Sequence, residues 1–437
     1  MTDDRRVQKA KLTFGTSRRG FIRTFAGGAL GSMMLYAFPE EARAKYIIAH
    51  NQSIPVDDEE FWEVVRAQFP LQRDPLYLNT GTMGPSPYVV IDAVRAEMKA
   101  VDRMGRYGGW DEVRPKIATF INAAPDEISI THNVTEGINI VASGLPLKRG
   151  DEVLLTNHEH AGNAIPWLAR ARRDGIIVKA VPVAPTSAEM LNRLNDAITG
   201  RTRVIAVPHI TCTIGQVLPG KEISRLGHDK GLWVMLDAAH TPGLMPLDVK
   251  ELECDFLATC GHKWMMGPKG TGFLYIRHQE LETIEPIWVG GGVDTGWDVG
   301  TGALAYRKDA HRFDFASQSA ALYVGLGTAI DFLYHVGMHN VFSRGRALAA
   351  LLRGELAKLG GKVEILTPAE EASHASIVGF RLKNYPFDKL QPLLLEKFRI
   401  ATRMVPENGV NCNRVSTHIY NNAAEVYRLM DAIRTVA

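Results

Sequence analysis

The chain has 437 residues, 46% of them hydrophobic and 22% charged, with a formal net charge of +2. At about 150 residues per domain, that length predicts two or three domains with cores large enough to need no disulfide scaffold. The apolar fraction excludes general disorder, and the 40 glycines and 22 prolines show no collagen triplet. No solenoid repeat is visible, and no long basic run invites nucleic acid.

At the start, Ser17-Arg18-Arg19-Gly20-Phe21-Ile22 precedes a weakly apolar run from Phe25 to Phe38 and a small-x-small site, Ala42-Arg43-Ala44. A basic region, a short apolar region and an A-x-A site in that order read as a signal peptide. The run is too short and too glycine-rich for a transmembrane helix. The arginine pair before Phe and an aliphatic residue resembles the twin-arginine export signal. Residues 1–44 are therefore expected to be an address, cleaved near Ala44 and read by the twin-arginine export machinery, for a periplasmic or secreted protein. They hold eight Lys and Arg against four Asp and Glu, a net of +4, so the remaining 393 residues sit near −2. That balance gives no electrostatic reason to seek an anionic partner. Cys212, Cys254, Cys260 and Cys412 form no C-x-x-C pair and read as buried thiols.

Phe61, Trp62, Val64, Val65 and Phe69 predict a short amphipathic helix over 57–69. Residues 77–87 are turn-rich, and 88–104 predict a helix. Alternation follows. Strands are expected at 128–131, 152–156, 176–181, 204–208, 232–237, 256–259 and 272–276. Helices are expected at 135–142, 163–173, 188–198 and 223–230. Strands separated by helices of about ten residues predict an α/β domain on a mostly parallel sheet covered on both faces, with its ligand at the carboxyl ends of the strands. A long helical stretch from about 320 to 359 leads into a small α+β unit. Its strands are 363–366, 376–382, 401–405 and 414–416, and its helices 387–397 and 423–435. The expected organisation is an N-terminal segment 45–90, a large domain 91–320, and a linking helix with a small C-terminal domain over 321–437.

The residues just past the strands carry the chemistry. One strand ends in Asp237-Ala238-Ala239-His240, another in Cys260-Gly261-His262-Lys263-Trp264. A lysine past a buried strand, between His and Trp, is placed where a desolvated amine can have a lowered pKa, which suits a Schiff-base lysine. An aspartate at a neighbouring strand end can pair with a protonated pyridine nitrogen. Pyridoxal 5'-phosphate (PLP) chemistry needs both groups, with the ring as electron sink. Asn133-Val134-Thr135-Glu136-Gly137 opens a helix whose free backbone N–H groups would face a phosphate. Each signal alone is weak: Gly-His-Lys is usually a loop, and a strand-end Asp a cap or turn.

Taken together and in this order, the motifs resemble those of class V aminotransferase-fold PLP enzymes, in particular isopenicillin N epimerase-like proteins, over about residues 57–435. The resemblance implies the aspartate aminotransferase-like fold. It makes residues 77–85 a substrate-side loop, with Asn79 at the substrate, and Thr135 and Glu136 the phosphate-binding turn. His160, in His158-Glu159-His160, becomes the ring stacked on the cofactor. Asp237 is assigned to the pyridine nitrogen and His240 to the phenolic oxygen, with Lys263 as the Schiff-base lysine. Lys263, His160 and Asp237 are then the catalytic set. Arg414-Val415-Ser416 resembles the family's Arg-x-Ser, in which Arg414 clamps a substrate carboxylate with bidentate geometry. Cys260 stands where the family often has Ser or Thr, which passes phosphate contacts to Thr259 or His262. The segment after the lysine domain reaches the partner's phosphate site in the family. That implies a homodimer with Ser317 as donor, although a helix N-cap before residue 320 is an equal reading of Ser317.

The implied activity is proton removal at the α-carbon of an amino acid or a peptide-borne amino group, on a substrate with amino and carboxylate groups. Epimerase, transaminase and C–S lyase or cysteine desulfurase outcomes stay open. The 403–414 segment is short compared with desulfurases and lacks their mobile cysteine loop. Exported class V enzymes that tailor siderophore peptides are similar in carrying an export signal, which keeps a peptide substrate in view. Outside PLP chemistry, a metallohydrolase using His158, His160, Asp237 and His240, or a periplasmic binding protein, leaves Gly261-His262-Lys263 unexplained. No metal is expected.

Overall fold

The computed structural model describes residues 52–106 and 110–437. The expected export signal lies outside the described residues. Fifteen strands are described, β1 (Leu76–Tyr77), β2 (Ile128–Thr131), β3 (Glu152–Thr156), β4 (Ile177–Val181), β5 (Thr202–Pro208), β6 (Trp233–Asp237), β7 (Phe256–Cys260), β8 (Gly272–Ile276), β9 (Asp294–Asp298), β10 (Ala303–Tyr306), β11 (Val363–Ile365), β12 (Ile377–Leu382), β13 (Ile400–Ala401), β14 (Arg403–Val405) and β15 (Cys412–Ser416).

Seven of them form the large sheet, in the order β2-β8-β7-β6-β5-β3-β4. The pairs from β4 to β7 are parallel, while β8 runs antiparallel to both β7 and β2. Strand alternation sorts the core into two layers. Leu154, Ile205, Val207, Val234, Leu236 and Leu257 face one hydrophobic cluster. Val153, Leu155, Val204, Ala206, Met235, Phe256 and Ala258 face the other. Both faces are apolar because helices cover both, as parallel sheets require. Since β2 runs in the same sense as β7, the carboxyl ends of β2, β3, β5, β6 and β7 open on one edge, where the functional residues gather.

The helix Glu59–Arg66 buries Phe61, Trp62, Val64 and Val65. Arg344 ties it to the C-terminal half, with a bidentate bond to Glu59 at 2.7 and 2.9 Å and its guanidinium over the Trp62 ring. The long helical stretch is two helices, Ala320–Val336 and Met338–Ala357, because Gly337 turns the backbone to φ 88° between them. The second covers a four-stranded antiparallel sheet, β11-β12-β15-β14, together with Phe387–Glu396 and Ala423–Arg434. The strand expected over 401–405 is split into β13 and β14. β13 pairs in parallel with β1, so the N-terminal segment is stitched into the small unit, with Leu76 and Leu78 in its core. The β9–β10 hairpin was not expected: its residues are exposed, so no buried face marks them as strands.

Candidate active site

Asp237 ends β6 and Lys263 follows β7, and both are buried at the sheet edge. Lys263 Nζ lies 3.2 Å from His240 Nε2. The turn Gly84 packs directly on this lysine. Gly84 N–H donates to the His262 carbonyl at 2.7 Å, and a Cβ on residue 84 would fall 1.9 Å from the Lys263 carbonyl oxygen. Only glycine fits there, so the loop over 77–87 and the lysine loop are locked together.

Asp237 Oδ1 accepts from Ala239 N–H at 2.9 Å. Its other oxygen has no protein donor among the described residues. Burial pushes the carboxyl above its ordinary range, against the pull of Ala239 N–H and Lys263. A cationic partner on the open oxygen would reverse that.

His160 caps the helix Ala161–Asp174, accepting from Gly162 N–H at 3.0 Å through Nδ1. Burial, helped by the charges of Lys263, Arg403 and Arg414, lowers its imidazole to about 4. This ring and the Val134–Gly144 helix N-terminus meet at Gly162, where a Cβ would lie 2.7 Å from Thr135 Oγ1 and 3.1 Å from His160 Nδ1. The Thr135 hydroxyl is exposed and without a protein partner among the described residues, on a helix N-terminus that favours an anion.

Two expected phosphate ligands are corrected. Glu136 turns its carboxylate back on its own loop, bonding His132 N–H at 2.7 Å and Nδ1 at 2.8 Å. Its backbone N–H is taken by the Asn133 cap at 3.0 Å. Thr259 is fully buried in β7, and its hydroxyl donates to the Ala238 carbonyl at 2.9 Å. Strand alternation puts it on the face of Leu257, away from Cys260. His262 does remain open, since its Nδ1 is buried without a partner among the described residues.

Across the cleft, Arg414 on β15 is completely buried. Nη1 donates to the Cys212 carbonyl at 2.5 Å, and Nη2 to Asn79 Oδ1 at 3.2 Å and Thr82 Oγ1 at 3.0 Å. Asn79, expected at the substrate, stands beside the arginine. Thr82 and Arg403 were missed; Arg403 announces itself only through strand register, lying opposite Arg414. Ser317 is exposed. The N-cap of the following helix is Ser319, not Ser317. His158 is bonded to Thr213 Oγ1 at 2.6 Å. No group of three or more His, Cys, Asp or Glu among the described residues is arranged to hold a metal ion.

Residues 97–429 match the model of the aminotransferase class-V family. The chain belongs to that family. It is 31% identical over 401 residues to a probable cysteine desulfurase of Methanothermobacter thermautotrophicus, covering 86% of this chain and 98% of the relative. It is 30% identical over 400 residues to isopenicillin N epimerase of Amycolatopsis lactamdurans, with the same coverage. A solved cystine C–S lyase in complex with its product cysteine persulfide matches with a TM-score of 0.77 at 29% identity, over 85% of this chain and all of the lyase. A variant of that lyase carries glycine covalently linked to PLP.

This class V chain is a PLP-dependent enzyme with the aspartate aminotransferase-like fold. Its residues fit the cofactor: among the described residues Asp237 keeps an open oxygen, His262 an orphaned Nδ1 and Thr135 a hydroxyl without a protein partner. Asp237 would take the pyridine nitrogen, Thr135 and His262 the phosphate, and His160 the ring face.

Proposed function

We propose that the enzyme removes the α-proton of an amino acid, or of a peptide-borne amino group, whose carboxylate is held by Arg414. PLP, when bound, supplies the electron sink that makes this proton acidic. Lys263, a buried amine beside His240, would hold the cofactor and take the proton. Asp237 would keep the pyridine nitrogen protonated, and His160, lowered to about 4 and so neutral above that pH, offers an uncharged ring for stacking.

The observation that carries this reading is the pairing of Lys263 Nζ with His240 Nε2 at 3.2 Å beside a buried Asp237. An epimerase or aminotransferase outcome is favoured over a desulfurase by the thiols. All four cysteines are buried, and burial raises Cys212 and Cys260 to about 11 and Cys254 and Cys412 to about 12. A protein persulfide needs an accessible thiolate. Cys412 instead sits inside β15, packed with Ile214 and Val405.

The same proposal includes export and dimerisation. The arginine pair, apolar run and Ala-x-Ala site support a twin-arginine exported, periplasmic or secreted enzyme. Trp288, Trp297, Val299 and Leu304 stand exposed on and beside the β9–β10 hairpin, an apolar patch that a second copy of the chain would cover. Ser317, exposed nearby in sequence, is the donor offered to the partner's phosphate.

The test is Lys263→Ala. The variant is expected to lose the visible band of the lysine-linked cofactor and turnover by at least about 100-fold, the lower end for a lost general base. Wild-type activity in the variant ends the assignment. Running the wild type in deuterated water then separates the outcomes: deuterium at an inverted α-carbon for an epimerase, a keto product for an aminotransferase.

A further inference from the structure

Trp264 follows Lys263 in sequence and is fully buried. Its side chain turns back to the opposite side of the site, where indole Nε1–H donates to His240 Nδ1 at 3.1 Å. An indole nitrogen has a proton to give and no lone pair to accept with. His240 Nδ1 must therefore be the acceptor. Burial, with Lys263 next, holds this imidazole well below its ordinary range, so it is neutral and carries one proton. That proton has one place left, Nε2, the nitrogen 3.2 Å from Lys263 Nζ.

Trp264 is itself held. Its carbonyl accepts from His418 Nε2 at 3.1 Å, which fixes His418 as the donor there. The two rings lie 5.4 Å apart. The chain after His240 folds under it at Gly243, whose φ of 85° and whose approach to the Trp264 carbonyl, 2.4 Å for a Cβ, admit glycine alone.

We propose that Trp264 is a positioning residue: its indole N–H locks His240 in the Nε2–H tautomer, so that a donor faces the phenolic oxygen of bound PLP. Without this bond the imidazole is free to move its proton to Nδ1, and it then turns a lone pair on an oxygen that is anionic. The consequence for the loaded enzyme rests on the placement of PLP in the proposed function. The tautomer does not, since it belongs to the protein alone.

The experiment uses the full chain labelled with 15N-histidine, in apo and PLP-loaded forms, with His240→Asn identifying the His240 signals. Imidazole nitrogen shifts distinguish the tautomers directly. Wild-type apo protein is expected to show His240 protonated at Nε2 and accepting at Nδ1. Trp264→Phe removes the N–H and keeps an aromatic ring; it is expected to populate the Nδ1–H form. In the loaded Trp264→Phe protein, the pH at which the visible band changes should rise by about one unit, the size of a lost charge-assisted hydrogen bond. A wild-type His240 protonated at Nδ1 overturns the proposal, whether or not the variant folds. So does a folded Trp264→Phe protein with tautomer and spectral transition both unchanged. Absence of any visible band in wild type would remove the PLP reading while leaving the tautomer result standing.

Discussion

Arg403 and Arg414 stand directly opposite each other across the β14–β15 ladder, on one face of the small sheet. Like charges so placed repel. Burial first, and then Arg403, lowers the Arg414 guanidinium to about 10. Glu407, ion-paired with Arg403, offsets part of this charge. Under the proposed function, a substrate carboxylate is the anion that would offset the rest.

The first prediction follows from that role. Arg414→Lys keeps a charge but loses the planar fork that matches a carboxylate. KM should rise by about 10–100-fold, the loss of one or two charge-assisted hydrogen bonds. Turnover at saturation should change less, because binding of ground and transition states weakens together. Steady-state kinetics decide it: a fall in kcat at unchanged KM would assign Arg414 to the transition state instead.

Asp237→Asn should retain the cofactor and lose most turnover. The amide matches the carboxylate in size and still accepts from Ala239 N–H, so the β6 turn survives. What it loses is the charge that keeps a pyridine nitrogen protonated. Absorbance of bound PLP and kcat are measured on the same sample. Near-normal turnover would leave Asp237 a purely structural turn residue.

Much of this site was legible because strands end where chemistry begins. Asp237 and Lys263 come from counting past two apolar runs, and the structure buries both at the sheet edge, while β2, β3 and β8 have the boundaries expected for them. Contacts made by reach across the fold were not legible. Nothing in the spacing of His240 and Trp264 says that an indole closes back on the imidazole, and the Arg403–Arg414 pairing needs a register that sequence leaves open. Thr259 was misjudged although the signal was present: two-residue alternation in Phe256-Leu257-Ala258-Thr259-Cys260 already turns its hydroxyl away from the Cys260 face. Glu136 was misjudged for a different reason, since an acidic residue three places after Asn133 is also a helix-capping pattern.

If no protein persulfide forms, the thiols are packing groups. Cys412→Ala and Cys212→Ala should then leave kcat and KM unchanged while lowering the unfolding midpoint slightly, as small buried truncations do. Loss of activity in a stably folded Cys412→Ala protein, with C–S substrates in particular, would restore the desulfurase assignment.

The last prediction concerns acid. His158, His160, His209, His262 and His418 are each lowered to about 4 by burial. In the unfolded chain these imidazoles titrate near 6.5. Between those values the unfolded state binds more protons, so stability is full above pH 6.5 and falls as pH drops toward 4. Five carboxyls act the other way, Asp237, Asp255 and Asp331 among them, each raised by burial first. Glu159 is raised to about 8 and Asp314 to about 6, in each case by burial first, so their protonation favours the folded state as pH falls. His240, His311 and His374 are lowered as well, so eight imidazoles stand against five carboxyls and the raised His132, and the net effect of acidification from pH 7 to 5 is destabilising. Each fully buried histidine contributes up to about 1.4 kcal/mol per pH unit within the window. His209 is the one to remove, because it is buried and its ring bonds the Thr241 hydroxyl rather than Lys263, His240 or the Asp237 carboxyl. Thermal unfolding midpoints measured from pH 7.5 to 4.5 should fall on the acid side. His209→Gln should start less stable and show a shallower fall. A midpoint that holds constant or rises as pH drops from 6.5 to 5 would mean that these imidazoles are not held neutral in the folded protein.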